Sequence, residues 1–306
     1  MLSRRQGSFH LFRFGGIDVF LHWSWFVVAV FEINNRAGRY SSITWNVLEY
    51  LALFFIVLLH EYGHMLACRQ VGGRANQIVL WPLGGVAYVD PPPRPGATLW
   101  SIAAGPLVNV ALFPILFMLL VVSRALGWAQ TMPNIRELVR AVFAINTVLL
   151  MFNMLPIYPL DGGQIVRSLL WFVLGRARSL MVATLIGFVG VAGLIVLALR
   201  IGSVWFGVLS FFILVNCWAG LKQSVALLRL SRLPRREGFA CPRCKAAPPM
   251  GNLWTCGECR QMFDIFELQG VCPHCTTQIA AAQCLDCGRP RPISDWTVPA
   301  LVASTP

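Results

Sequence analysis

The sequence predicts an all-α polytopic membrane protein of about six transmembrane helices, with a re-entrant β-hairpin loop and a small cysteine-rich C-terminal domain. Its 306 residues are 57% hydrophobic and only 12% charged, whereas an average soluble domain is about 25% charged. Stretches of about 20 residues without a charge recur, and this length suffices to cross a bilayer as a helix. Eight of the ten cysteines follow residue 233. This composition excludes a soluble enzyme, a secreted disulfide scaffold and a disordered chain.

The first apolar stretch, Ile17 to Ile33, is interpreted as a retained transmembrane helix. It contains Asp18 and His22, and it lacks the small-x-small cleavage site of a signal peptide. Hydrophobicity and length together place the predicted helices near residues 17–33, 47–69, 98–123, 138–156, 179–199 and 202–222.

The basic residues indicate orientation in a lipid bilayer rather than nucleic-acid binding. Of the formal charge of +12, residues 1–233 supply +11 and residues 234–306 supply +1. The excess therefore lies beside the hydrophobic segments. With six crossings, fourteen basic residues fall on the side of the termini and six on the other. Because cytoplasmic loops are enriched in Lys and Arg, the sequence predicts a multi-pass protein with both termini in the cytoplasm.

The loop between the second and third helices has an unusual apolar segment, Ile78 to Val89. It is too short to span a membrane, and Pro82 and the pair Gly84-Gly85 separate two strand-like runs. A re-entrant hairpin beside a cavity fits this pattern, since irregular backbone at membrane depth must be satisfied by protein or water. An ordinary interfacial loop is the alternative.

The second helix contains the motif H-E-x-x-H, formed by His60, Glu61 and His64. Residues four apart share a helical face, so both imidazoles can bind one Zn²⁺ with Glu61 beside the bound water. Ionisable residues inside a membrane are costly and usually mark a function. The alternative is a pair of histidines that hydrogen-bond within the helix bundle.

A catalytic zinc needs a third protein ligand, with the fourth position left for water. Asp161 is the one other acid within or at the edge of the later hydrophobic helices. Pro156 and Pro159 interrupt the helix before it, and Gly162-Gly163 follow it. An N-cap that opens a helix from Gly162 onward is the other interpretation of this aspartate.

These motifs resemble the site-2 proteases, the M50 family of intramembrane zinc metalloproteases, over roughly residues 15–225. The matching elements are the His60–His64 motif, N-x-x-P-x-x-P-L-D-G-G at 153–163, Gly105-Pro106-x-x-Asn109, the pair Gly84-Gly85 and the pattern at 19–24.

The resemblance implies a catalytic zinc held by His60, His64 and Asp161, with Glu61 catalytic, and a transmembrane protein substrate that is cleaved within the bilayer. It further implies that Asn109 and Asn153 bind the substrate backbone, and that the glycines of the hairpin contribute to substrate binding. Amides that join the third and fourth helices are the alternative for each asparagine. No PDZ domain fits between the catalytic helices, and no CBS domain fits after the last one.

The C-terminal part predicts a zinc-ribbon domain. The predicted boundaries are 1–226 for the membrane domain, 227–237 for a basic linker and 238–306 for a pair of Cys₄ ribbons. Two CxxC knuckles complete one tetrahedral site, so four knuckles predict two structural zinc ions. Sequential pairing suits the short gaps, cross-bracing is the alternative, and disulfides conflict with a reducing cytoplasm. The four knuckles, numbered in chain order, are Cys241/Cys244, Cys256/Cys259, Cys272/Cys275 and Cys284/Cys287.

The ribbon domain is expected to recruit or regulate through a cytoplasmic protein partner. Eight thiolates and two Zn²⁺ would change its charge from +1 to −3, which disfavours nucleic acid. Trp254, Phe263 and Phe266 are expected to form its small apolar core.

The leading hypothesis is an intramembrane zinc endopeptidase. The alternative is a non-proteolytic membrane scaffold that recruits a soluble partner through its zinc ribbons, but a scaffold would not need the general base Glu61. A metal transporter would more naturally show internal repeats, and none is found in the sequence.

Overall fold

The computed structural model describes residues 7–36, 38–81 and 84–297, and the chain divides into two compact units, Met1–Ser224 and Val225–Pro306. Four strands and seven helices account for the chain up to residue 232. In chain order these are β1 (Ser8–Phe14), β2 (Ile17–His22), α1 (Ser24–Asn35), α2 (Ile43–Gln70), β3 (Arg74–Trp81), β4 (Gly84–Asp90), α3 (Pro95–Ala125), α4 (Trp128–Thr131), α5 (Pro133–Asn153), α6 (Asp161–Ile201) and α7 (Val204–Arg232).

Helices α2, α3, α6 and α7 are long and apolar enough to cross a membrane, so the protein is a membrane protein. The expectation of about six spans is not confirmed, since only these four qualify within the described ranges. Helix α1 has 12 residues, fewer than a crossing needs. Helix α5 has 21 residues, but its first turns carry Arg136, Glu137 and Arg140.

A four-stranded sheet, ordered β1-β2-β3-β4, corrects the prediction of an all-α membrane domain. The prediction of a helix over 17–33 is wrong in its first part, because residues 17–22 form β2. This strand pairs antiparallel with β1 and parallel with β3. The predicted hairpin is present as the antiparallel pair β3 and β4, although Pro82 lies outside the described residues. Its re-entrant position in the bilayer stays a prediction.

The sheet packs against α2, the helix that carries H-E-x-x-H. Ile17 and Val19 of β2 and Ile78 of β3 are fully buried, and they share one apolar cluster with Val57 and Met65 of α2. Burial of such side chains contributes roughly 1.5–3 kcal/mol each. The cluster therefore holds the hairpin against the helix that bears the candidate site.

Helices α2 and α3 approach each other closely where small residues meet. A Cβ atom added at Gly63 of α2 would lie 2.6 Å from the carbonyl oxygen of Ala104 on α3. Glycine is therefore required at this crossing, because any side chain would push the two backbones apart.

Helix α6 begins at Asp161, well before the predicted start at residue 179. Its 41 residues comprise two helical pieces joined at Gly175, whose φ of 77° only glycine adopts readily. The prediction missed the first piece because charged residues interrupt its apolar pattern.

The second unit is built from two small hairpins and four cysteine knuckles. Helix α7 ends at Arg232, and Arg235 and Arg236 pair with Asp286 and Asp264 inside this unit. The segment expected as a linker, 227–237, is therefore part helix and part ribbon. The hairpins are β5 (Trp254–Thr255) with β6 (Met262–Phe263), and β7 (Ala281–Gln283) with β8 (Pro290–Pro292).

The knuckles pair in a nested order, which corrects the expectation of sequential ribbons. The first knuckle lies with the fourth, and the second lies with the third. The ends of the unit meet, since the N–H of Ala240 donates to the carbonyl of Trp296 at 2.8 Å. This contact brings the first knuckle beside the last. Trp254, Phe263 and Phe266 are buried as expected, and Trp296 joins them.

Candidate metal centre and active site

Helix α2 places two imidazoles on one face. His60 and His64 are one turn apart and are 3% and 5% exposed. Their Nε2 atoms face each other at 3.1 Å. Two neutral ring nitrogens this close present two lone pairs to one point, as a shared cation requires.

Asp161, the first residue of α6, completes this cluster. One carboxylate oxygen lies 3.0 Å from His60 Nε2 and 3.5 Å from His64 Nε2. The helix N-cap is Leu160, whose side chain cannot cap the helix, and the side-chain contacts of Asp161 within the described residues are those with the two histidines. The structure therefore favours the ligand interpretation of this residue over the N-cap interpretation.

The remote ring nitrogens are both occupied by α3. His60 Nδ1 lies 2.6 Å from Asn109 Oδ1, and His64 Nδ1 lies 2.9 Å from the carbonyl oxygen of Ser101. Each acceptor requires a proton on Nδ1, which leaves Nε2 free to bind a metal. Such outer hydrogen bonds usually fix the tautomer and orientation of a metal-binding histidine.

Glu61 lies between the two histidines in sequence and is 5% exposed. It accepts a hydrogen bond of 3.0 Å from the backbone N–H of Ala87 in β4. The hairpin thus contacts the candidate general base through its main chain.

The donor set fits Zn²⁺. Three ligand atoms from His60, His64 and Asp161 lie within 4.8 Å of one another. A tetrahedral site with bonds of about 2.1 Å separates its nitrogens by about 3.4 Å, close to the observed spacing. Room is kept by Gly105 of α3, where an added Cβ would lie 2.8 Å from His60 Nε2 and nearer still to His64 Nε2.

The other predicted substrate contacts are placed differently. Asn109 is fully buried and bonded to Asn146 of α5 as well as to His60, which matches the alternative of an amide that joins two helices. Asn153 ends α5, half-buried, and its side chain has no hydrogen-bond partner among the described residues. Gly84 and Gly85 begin β4 and pair with Trp81 and Leu80.

Sequence reasoning missed Asn146, the backbone N–H of Ala87 and the room that Gly105 provides. Asn146 carries a detectable signal, because it is an amide within the apolar middle of α5. The contacts of Ala87 and Ser101 involve only main-chain atoms, so no residue type announces them.

The eight cysteines of the second unit form two four-sulfur clusters. Across the nested knuckles the Sγ–Sγ distances are 3.6–3.8 Å. Disulfide bonds of about 2.05 Å are excluded by this spacing, and all ten cysteines are free. A tetrahedral Zn–S site with bonds of about 2.3 Å separates its sulfurs by about 3.8 Å. The geometry fits a structural zinc in each cluster.

Asp264 organises the chain between the second and third knuckles. Burial alone would raise the pKa of this carboxyl group, but the hydrogen bonds it accepts outweigh burial and hold the pKa below its usual range. Its donors are the backbone N–H groups of Gly251, Phe266 and Glu267 and the guanidinium of Arg236.

The chain is similar to proteins named as zinc metalloproteases. The profile of peptidase family M50 matches residues 49–134 and 127–197. A zinc metalloprotease of Methanocaldococcus jannaschii is 36% identical over 180 residues, which cover 59% of this chain and 50% of that protein. The putative zinc metalloprotease Rip3 of Mycobacterium tuberculosis is 27% identical over 221 residues, 66% of this chain and 55% of that protein.

A solved structure supports the same relationship. The site-2 protease from Methanocaldococcus jannaschii superposes with a TM-score of 0.51 at 29% identity, covering 70% of this chain and 95% of that one. The chain spans about half the length of the curated relatives it matches, and the cysteine knuckles lie outside the family match. Residues 49–197 thus match peptidase family M50, and the geometry of the candidate metal site and the fold shared with a site-2 protease agree with that match.

Proposed function

We propose that the chain is an intramembrane zinc endopeptidase that hydrolyses a peptide bond within or near the transmembrane segment of a membrane-protein substrate, as in regulated intramembrane proteolysis. One observation carries the proposal: His60, His64 and Asp161 converge beside Glu61 among helices long enough to span a bilayer. The names of the relatives, zinc metalloprotease and site-2 protease, support it.

Zinc bound by these three residues would polarise a carbonyl group and lower the pKa of a coordinated water. Glu61, adjacent to His60 and held by the N–H of Ala87, would be the group that accepts a proton from the attacking water and returns it to the leaving amine. Burial beside the histidines keeps bulk water away from this acid.

Asn153 is proposed to contact the substrate carbonyl. It lies half-buried at the end of α5, eight residues before Asp161, and none of the described residues uses its amide. Because this amide makes no hydrogen bond within the described part of the enzyme, it can donate to the negative charge that develops on the substrate oxygen without first breaking an internal hydrogen bond.

The hairpin offers main-chain groups to an unwound substrate. Strand β4 is at the edge of the sheet, and its Ala87 N–H points away from β3, toward Glu61. Alternate residues share this outward direction in an antiparallel strand, so Gly85 presents its backbone on the same edge. A substrate that leaves its helix needs new hydrogen-bond partners, and addition to β4 supplies them.

The cysteine unit is proposed to bind two structural zinc ions and to dock a cytoplasmic protein partner. The sulfur spacing supports the zinc ions, and the basic residues that flank the hydrophobic segments support a cytoplasmic location for both termini.

Glu61→Gln tests the mechanism. The purified variant, reconstituted with zinc and a single-span membrane substrate, should lose about 10²–10⁴-fold in cleavage rate while its zinc content stays unchanged. Glu137→Gln is the matched control. Glu137 pairs with Arg39 and is not part of the metal cluster, so this variant should cleave the substrate at the wild-type rate. Wild-type cleavage by Glu61→Gln would refute the assigned role, and failure of zinc-loaded wild type on a panel of single-span helices would refute the activity.

A further inference from the structure

A chain of amide hydrogen bonds extends from His60 away from the metal cluster. His60 Nδ1 bonds to Asn109 Oδ1 at 2.6 Å, and Asn109 Nδ2 donates to Asn146 Oδ1 at 2.8 Å. Asn146 Nδ2 returns the chain to α3 by donating to the carbonyl oxygen of Asn109 at 3.1 Å. Both asparagines are fully buried.

We infer that Asn146 is a positioning residue, which fixes the orientation of the Asn109 amide and thereby the tautomer of His60. The inference rests on the proposed zinc site. An asparagine amide has nearly the same shape in both orientations, so only its hydrogen-bond partners decide which atom faces the histidine.

The three bonds admit one arrangement. The carbonyl oxygen of Asn109 can only accept, so Asn146 must present its Nδ2 there and its Oδ1 to the side chain of Asn109. Asn109 must then present Nδ2 to Asn146 and Oδ1 to His60. The ring must therefore carry its proton on Nδ1, which leaves the Nε2 lone pair toward His64 and Asp161.

Without Asn146 this constraint is lost. The Asn109 amide could turn and present Nδ2 to the ring, which favours the tautomer with the proton on Nε2. That proton occupies the lone pair that the metal needs. The tautomer of His64 does not depend on Asn146. Its Nδ1 donates to the main-chain carbonyl of Ser101, which can only accept a hydrogen bond.

The test is the zinc affinity of Asn146→Leu, a substitution of similar size. Competition with chelators of graded strength measures zinc held by the membrane core, after subtraction of a His60→Ala/His64→Ala background that retains the cysteine sites. Loss of an outer-shell partner typically weakens a metal site about 10–100-fold, and this loss is expected here. Co²⁺ substitution should show altered d–d bands of the core site in the same variant.

Thr184→Val is the matched control. Thr184 is also fully buried, and its hydroxyl bonds only to carbonyls of its own helix, α6. Its replacement should leave zinc affinity unchanged. An equal loss in this control would mean that any buried polar change loosens the site, and the inference would be wrong.

Asn109→Asp separates orientation from packing. A carboxylate presents an acceptor to His60 in either orientation, so in this background Asn146→Leu should have a much smaller effect on zinc affinity. If Asn146→Leu weakens zinc binding as much in the Asn109→Asp background as in the wild type, Asn146 has a purely structural role. Wild-type zinc affinity in the Asn146→Leu variant alone would also overturn the inference. A wild-type core that binds no more zinc than the His60→Ala/His64→Ala background would instead refute the proposed site itself.

Discussion

Replacing Gly105 with alanine adds one methyl group at the metal centre and tests its geometry directly. The new Cβ would lie 2.8 Å from His60 Nε2 and closer still to His64 Nε2. Ordinary van der Waals contact begins near 3.4 Å, so the His60 ring would have to move by about 0.6 Å. Metal sites tolerate deviations of about 0.2 Å in their ligand distances.

The displacement is thus about three times the tolerance, and we expect zinc affinity to fall by at least about 100-fold. This exceeds the loss of about 10–100-fold that is typical when a hydrogen-bond partner of a metal ligand is removed, because the added methyl group displaces both histidine ligands. The assay is the zinc content of the purified variant after dialysis against a weak chelator. Circular dichroism reports whether the helices persist.

Gly193→Ala is the matched control for this substitution. Gly193 also lies within a long helix, but nothing lies within 4 Å of the Cβ that alanine would add. This variant should keep its zinc and gain about 0.5–1 kcal/mol of stability from the better helix former. Normal zinc binding by Gly105→Ala would mean that the two imidazoles do not meet beside residue 105, and the proposed site would be wrong.

Three further predictions concern the second unit and the topology. The wild type should hold three zinc ions. Serine in place of all four cysteines of the first and fourth knuckles should remove one zinc ion if the knuckles pair in the nested order. Sequential pairing would instead cost both structural zinc ions, and metal analysis of the purified variant distinguishes the two outcomes. Asp264→Asn should destabilise the ribbon unit by about 1–3 kcal/mol at pH 7, because the amide accepts fewer of the buried hydrogen bonds. Because the pKa of Asp264 is lowered from its ordinary value of 3.8, the stabilisation by its carboxylate is fully present above pH 3.8 and is lost as the pH falls through the folded-state pKa. Thermal unfolding of Asp264→Asn at pH 7 measures the loss of stability, and a variant as stable as wild type would contradict the prediction. The six-span topology predicts that a cysteine at Gly127 reacts with an impermeant reagent from outside, while a reporter after residue 230 stays cytoplasmic; labelling of both positions from the cytoplasmic side would instead show that only α2, α3, α6 and α7 cross the membrane.

The cluster of candidate metal ligands on α2 could be predicted because its residue types and spacing are visible in a short stretch of sequence. His60 and His64 are separated by one helical turn, and the acid between them is costly in an apolar helix unless it serves the chemistry of a site. The cysteine knuckles are equally local. Their partners are not, since the gap lengths allow more than one pairing, and the nested order depends on the contact between Ala240 and Trp296.

The sheet could not be predicted for a different reason. Residues 17–33 are apolar almost throughout, and a continuous apolar stretch shows neither the period of a strand nor that of a helix. The turn from β2 into α1 is therefore invisible in hydrophobicity alone. Pairing of β2 with β3, more than fifty residues later, decides the outcome.

The bond between Ala87 and Glu61 has a consequence for how this site can vary. The donor is a peptide N–H, which nineteen of the twenty amino acids possess, so the contact survives almost any substitution at position 87. Proline alone abolishes it, because its nitrogen carries no hydrogen. The residue type at position 87 can therefore vary among related proteins although its main chain holds the carboxylate of Glu61, the candidate general base, in place. At position 87, the absence of proline among related sequences would therefore indicate this contact with Glu61 more clearly than the residues that do occur there.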